Sequence, residues 1–395
     1  MKSNLSDLLL RQRFCGPPGL ELSNLLSFHR KDSINSWYDN THIIYFHKAR
    51  AAIRYICQLL DIKPDDTVLV PSYNCGVEVD PMLKYGARIV MFRVDITGQI
   101  DLEDIRKRID EKTRIIYINQ YFGFPQPIEA IRKICDERGI YLIEDCALSL
   151  LSKSAGNKNL GSTGDISIFN LYKTLPLADG GALMINNPVL IHDPPVMLAS
   201  PRVMVFFGFI QLCKHFMLRN IPVFNTLYAS VRNMVSKVKA DIEKTHESGT
   251  SLPDMPASYY YDENLGLRRM SSLSGYMLDR YDYERIVQNR RRNFQKYMYE
   301  LRNIEKIQFL YQDLPEGICP LYFPILIDNP GYVYKQLLKY SVFTFHWWSG
   351  YHRDLPWSDF PEACYLKDHL LVLPVHHQLS EKHIDYIIQK LLQVM

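Results

Sequence analysis

The stretch IFNLYKTLPLADGGALMI (168–185) places one lysine, Lys173, between an apolar run and a proline, then continues through an Asp-Gly-Gly turn into a second apolar run. Short apolar runs bounded by turn residues read as buried strands. A long cation between two such strands is either a solvated loop residue or an amine needed where the strands end. Upstream, TVLVPSY (67–73), RIVMFRV (88–94), TRIIYIN (113–119) and IYLIED (140–145) are further β-rich runs, nearly continuous in apolar residues. Between them HKARAAIRYICQLL, Val77–Tyr85, TGQIDLEDIRKRI and PIEAIRKICDERG have helical spacing, the last with Gly139 as its C-cap. This βαβ rhythm, with strands apolar on both faces, predicts an α/β fold: a mostly parallel mixed sheet wrapped by helices. Ligands of such sheets collect at the carboxyl ends of the strands.

The chain of 395 residues can bury a large core, most naturally as two lobes. Its net charge of +3 is too small to argue for nucleic acid. Eight scattered cysteines, with no C-x-x-C pair and no metal-like spacing with histidine, suit reduced thiols in a cytoplasmic compartment. MKSNLSDLLLRQRF is too short in apolar residues for a signal-peptide core, and the longest apolar run, VMVFFGFI (203–210), is far short of the ~20 residues of a spanning helix. The expected organisation is an N-terminal segment (1–45), a large domain (46–193), a basic helical insertion (194–262) and a smaller α+β C-terminal domain (263–395). That last domain is expected to open with one long helix over Met270–Leu301 and to include a strand over SVFTFHWW. Residues 196–240 hold six Lys/Arg and no Asp or Glu. Such a helix can pack over a site mouth, form a dimer contact or touch an anionic membrane surface.

Two strand-end residues carry the chemical argument. Asp145 closes IYLIED, and Lys173 follows ISIFNLY. A carboxylate at the end of a buried strand needs a basic or hydrogen-bonding partner. A salt bridge satisfies that need. So does a cofactor such as pyridoxal phosphate, which takes a lysine amine and a carboxylate beside its ring nitrogen. The helix start at Lys48, Ala49 and Arg50 could cradle a phosphate on its backbone N–H groups, although many helices begin with alanines and Arg50 could be solvated. Spacing alone leaves these readings open.

The order of KARAAI, VLVPSYNCG, YGARIVMFRVD, TRIIYINQYFG, GIYLIEDCA, GSTGDISIFNLYKTLPLADGGALMI, RRMSSLSGYMLDRYD and LLVLPVHHQLSEKHID resembles the DegT/DnrJ/StrS-type sugar aminotransferases, of the fold type I class that uses pyridoxal phosphate. The likeness runs from about residue 46 to the C-terminus, interrupted over 194–262. It implies that Lys173 is the Schiff-base lysine, Asp145 the ring-nitrogen partner, and Lys48, Ala49 and Arg50 the phosphate turn, with Asn170 a further phosphate candidate. Tyr73 is implied near the ring, Cys75 stands where the family has a stacking aromatic, and Gln120 stands where it often has histidine. Leu148 replaces a usual Gln or His, and Leu267, beside Arg268 and Arg269, replaces an asparagine lent by the neighbouring subunit. His346, Trp347 and Trp348 fall where the family sets substrate choice, or else form an aromatic core. Arg202 and Arg268 are candidates for a substrate carboxylate or pyrophosphate.

The resemblance implies an aminotransferase moving an amino group, from glutamate by analogy, to a keto-sugar, nucleotide-linked, in glycan biosynthesis, and a homodimer. Two alternatives stand beside it: another reaction on the same cofactor, such as sugar dehydration, or a non-catalytic scaffold that kept the fold.

Overall fold

In the computed structural model, residues 13–26, 33–40, 42–228, 231 and 253–395 are described. Most of MKSNLSDLLLRQRF and, within the basic segment 196–240, residues 229–230 and 232–240 lie outside the described residues.

The expected sheet forms with seven strands. In chain order these are β1 (Ile43–Phe46), β2 (Thr67–Pro71), β3 (Arg88–Phe92), β4 (Thr113–Asn119), β5 (Tyr141–Asp145), β6 (Ile166–Asn170) and β7 (Gly181–Ile185), arranged β1-β7-β6-β5-β4-β2-β3. From β6 to β3 all neighbours pair in parallel, whereas β7 runs antiparallel to β6, and β1 antiparallel to β7. Strands β2, β6 and β7 are buried along their whole length, as continuous apolar runs require.

The helices start and stop on local chemistry. Asp101 caps the helix Leu102–Arg108 by accepting from the Glu103 and Asp104 amides. The helix Ile128–Arg138 ends on Gly139 at φ 65, where a Cβ would be strained. The helix Ala49–Leu59 buries Ala52, Ile53 and Ile56 on the sheet.

The second sheet is antiparallel, ordered β10-β11-β9-β8 from Gln308–Phe309 (β8), Tyr322–Leu326 (β9), Phe345–His346 (β10) and Leu370–Pro374 (β11). Ser380 and His383 form a capping box for the closing helix Glu381–Val394. One apolar core is continuous from Val68, Ile116 and Ile143 through Phe294 and Tyr297 to Phe323 and Leu371.

Three expectations are corrected. The single long helix over Met270–Leu301 is two helices, Ser272–Leu278 and Tyr283–Leu301, because Asp282 turns its side chain onto the Arg285 amide and starts a new one. SVFTFHWW yields only the two residues of β10, since Ser341 (φ 58) and Trp348 (φ 53) turn the backbone out of extended geometry on either side. The strand β1 lies in a polar neighbourhood and is too short at four residues to show a period, so sequence patterning misses it.

Two buried polar residues tie the lysine turn to the rest. Asp179, fully buried, accepts from His47 Nδ1 (2.9 Å), the Ser271 amide (2.9 Å) and the Ser271 hydroxyl (2.6 Å), and from the Ser274 hydroxyl as well. Burial alone would raise its pKa, but these donors hold it below the ordinary carboxylate value. Arg290, also buried, donates to the carbonyls of Thr174 (2.8 Å), Pro320 and Leu321 (3.1 Å each). Asp179→Ala is expected to cost about 3–5 kcal/mol by stranding buried donors from two segments. Urea denaturation checks this, and a variant as stable as the parent would show that Asp179 does not brace the fold.

Candidate active site

The carboxyl ends of β2, β4, β5 and β6, together with the exit of β1, converge on one cavity of about 390 Å³. Strand β5 ends in Asp145, β4 in Asn119 and β6 in Asn170, and each of these side chains lines the cavity. Lys173 sits on the single helical turn Leu171–Thr174 that follows β6 directly. Lys173 lines the same cavity, and its charge acts on both Asp145 and Cys75. From β1 the chain passes through His47 to Lys48, the N-cap of the helix Ala49–Leu59. Gly181 of β7 lies so close to this helix start that a Cβ there would stand 2.4 Å from the Ala49 nitrogen. Only glycine permits that approach.

Asp145 is held on both oxygens. The Tyr117 hydroxyl donates to Oδ2 at 2.7 Å and the Ala147 amide to Oδ1 at 2.8 Å. Burial and the neighbouring Glu78 carboxylate push its pKa up to about 6, against the pull of those two bonds and of Lys173. Glu78 accepts from the Cys75 amide and Asn119 Nδ2 (3.2 Å each), and the Cys75 thiol donates to its other oxygen at 2.7 Å. Burial and Glu78 together push that thiol well above its usual value, so it is kept protonated.

The second lobe closes the cavity. Trp348 packs on Tyr73 with ring centroids 5.1 Å apart, and Trp347 stacks on Trp348 at 5.7 Å. Lys367, fully buried, donates to the carbonyls of Asn74 (2.8 Å), Trp348 and Gly350 (2.9 Å each) and so fastens this loop to the turn after β2. Burial draws its pKa down to about 8. A larger surface depression of about 550 Å³ over the helix Tyr283–Leu301 holds one arginine and neither lysine nor carboxylate.

Of the residues singled out in the sequence, Lys48, Ala49, Arg50, Cys75, Asp145, Asn170, Lys173 and His346 line the cavity, as do Leu148, Trp347 and Trp348. Four others do not, of which Arg202 opens the helix Arg202–Asn220, exposed. Tyr73 is buried behind Trp348. Gln120 spends its amide on Glu144 (2.9 Å) and on the Gln126 amide (2.8 Å). Arg268 donates to the Leu265 and Ala199 carbonyls, outside the cavity. Arg50 lines the cavity, but its guanidinium donates to the carbonyls of Ser258, Tyr259 and Tyr260 at 3.0–3.4 Å. Sequence reasoning missed Glu78, Asn119 and Tyr172. A glutamate within the small and apolar run CGVEVD was the one available signal for Glu78.

Residues 29–200 match the family model of the DegT/DnrJ/EryC1/StrS aminotransferase family. A GDP-perosamine synthase from Vibrio cholerae is 29% identical over 153 residues, covering 38% of this chain and 41% of that protein. A dTDP-4-dehydro-2,3,6-trideoxy-D-glucose 4-aminotransferase from Saccharopolyspora spinosa is 31% identical over 157 residues, 39% of this chain and 40% of that one. The chain thus matches about two fifths of the length of these curated relatives. Among solved structures, PseC of Helicobacter pylori, an aminotransferase of pseudoaminic acid biosynthesis, superposes with a TM-score of 0.65 at 15% identity over 97% of this chain and 99% of its own. A Streptococcus pneumoniae protein solved in its PLP-form gives 0.66 at 17% identity over 97% and 98%. These superpositions establish the fold type I architecture across nearly the whole chain. Over residues 29–200, then, this chain is similar to the DegT/DnrJ/EryC1/StrS aminotransferases.

Proposed function

We propose that the protein is a pyridoxal-phosphate-dependent aminotransferase that moves an amino group, from glutamate, to a nucleotide-linked keto-sugar, working as a homodimer in the cytoplasm. The observation that carries this reading is the convergence of Lys173 and Asp145 on one cavity, with a helix N-terminus at its rim. The two curated relatives are named for activities on nucleotide sugars, which supports the acceptor class. Eight unpaired cysteines are consistent with a reducing compartment.

The donor set fits the cofactor. At the helix start, Lys48 provides no side-chain cap, leaving the Ala49 and Arg50 amides for an anion. Asn170 lines the cavity with a buried Oδ1 that has no protein partner among the described residues. Burial raises the pKa of the Tyr172 hydroxyl, yet it ends below its ordinary value, because the Lys48 ammonium stands 4.4 Å from its ring and Asn170 hydrogen-bonds its hydroxyl. When bound, pyridoxal phosphate supplies an aldehyde for a lysine amine and a ring that accepts the electron pair left on a deprotonated substrate carbon.

Around it, each residue has a defined task. Lys173 Nζ would hold the aldehyde group of the cofactor. Once free, Nζ moves a proton from the donor's α-carbon and returns it at the next position. Asp145 Oδ, fixed by Tyr117 and Ala147, accepts from a ring N–H and favours its protonated form. Leu148 and Trp348 exclude water from the cavity walls.

Loaded protein treated with borohydride should carry its covalent label on Lys173, and Lys173→Ala should carry none. Labelling of a different lysine would refute the assignment. Glutamate should bleach the visible band of the loaded protein, and a band untouched by any amino acid would favour a different reaction on the same cofactor. For Asp145 the sign of the pH effect follows from its shift. Its folded value of about 6 lies above the ordinary 3.8. Its contribution to stability is therefore complete below about pH 4 and lost as the pH rises through 6. Without cofactor, Asp145→Asn should be more stable than the parent at about pH 8, by at most about 3 kcal/mol. That gain should fade near pH 4, while affinity for pyridoxal phosphate drops. Urea denaturation at both pH values, with a cofactor titration, checks it.

A further inference from the structure

The helix Arg202–Asn220 is amphipathic in reverse. Its inner side is docked: Leu212 and Leu218 are buried, Phe209 and Phe216 pack on the core, and a Cβ on Gly208 would stand 2.6 Å from the Ala178 carbonyl. Arg219 anchors the far end by donating to Gln378 and to the Gly16 and Pro17 carbonyls. The outer side is apolar as well. Val203, Phe206, Phe207 and Ile210 follow i, i+3, i+4, i+7 spacing and are 68, 59, 61 and 45% exposed. The helical residues 222–228 extend this surface, with Val223, Phe224 and Leu227 at 55, 46 and 60%. A soluble monomer rarely shows so continuous an apolar face.

Its charge says what covers it. Residues 196–240 contain no acid, Arg219 is spent inward, and among the described residues Arg202 and Lys214 follow the helical spacing of the apolar stripe. A second copy docked through this same face would set cations against cations with no carboxylate to pair them. An anionic lipid surface supplies both what the phenylalanines need and what the cations need. Among the described residues no helix is long and apolar enough to cross a membrane, so the contact is with the membrane surface. We propose that the outer face of residues 202–228 docks on an anionic bilayer, with Phe206 and Phe207 entering the headgroup boundary. Gly208 rests on Ala178, five residues from Lys173, so the docked helix stands beside the lysine loop.

The test is co-sedimentation of the full chain with phosphatidylcholine vesicles, with and without phosphatidylserine, at low and high salt; it reads neither cofactor nor activity. The expected result is pelleting only with phosphatidylserine, weakened by salt, and about tenfold less bound protein for Phe206→Ser/Phe207→Ser. Both changed positions are exposed, so the thermal midpoint should not move. The proposal is overturned by any of three results: no pelleting, equal binding to neutral vesicles, or unchanged binding of the double variant. It is also overturned if, without lipid, the parent is a larger species that the double substitution dissociates, because the face would then join two copies of the chain.

Discussion

The buried carboxylate of Asp179 is the constraint on which the site depends. It sits in the Asp-Gly-Gly turn between the lysine turn and β7, and its acceptor capacity is filled by His47, Ser271 and Ser274. These three partners come from the exit of β1 and from the first helix beyond the insertion. A charge buried without donors would be untenable, so the three segments must arrive together or the turn cannot form. Gly180 N–H donates to the His47 carbonyl, and the Leu171 amide to the Gly180 carbonyl. The lysine turn and the helix start at Lys48 are therefore braced from one point. Arg290 repeats the device from the other side by donating to the Thr174 carbonyl, one residue after Lys173.

With the scaffold set that firmly, strain can be concentrated where chemistry needs it. Asp145 and Glu78 are two buried carboxylates in one cavity, and Glu78 makes the charge of Asp145 harder to keep. A cation placed between the walls relieves that conflict. In the proposed reading, a protonated ring beside Asp145 would be that cation, and without it the arrangement costs some stability. The Cys75 thiol and Asn119 amide spend their hydrogen bonds on Glu78, which holds it in a single orientation.

The second lobe enters through one buried lysine. Lys367 fills three carbonyls and clamps the Trp348 loop to the Asn74 turn, so that the cavity roof belongs to a different sheet from its floor. The insertion helix sits next to this construction, packed by its inner side and apolar on its outer one.

Sequence patterning alone was enough for the βαβ order, the parallel strands and the Gly139 cap, because each depends on neighbours within a few residues or on an unbroken apolar run; it placed Lys173 and Asp145 at strand ends, and only the resemblance joined them in one role. It could not show β1, which gains its hydrogen bonds from β7 across more than 130 residues, nor the break at Asp282 within a seemingly periodic helix. Nor could it separate the true lining from its neighbours. Gln120 and Tyr73 stand at strand ends like Asn119 and Cys75, yet side-chain direction, settled by Glu144 on one side and Trp348 on the other, turns them away. Glu78 was hidden for the same reason: a carboxylate becomes part of a site only through what the fold packs against it, and those partners come from other strands. Local chemistry determined the elements and the two principal groups; long-range packing decided which side chains share a cavity, since desolvation and pairing exist only between segments that the chain brings together.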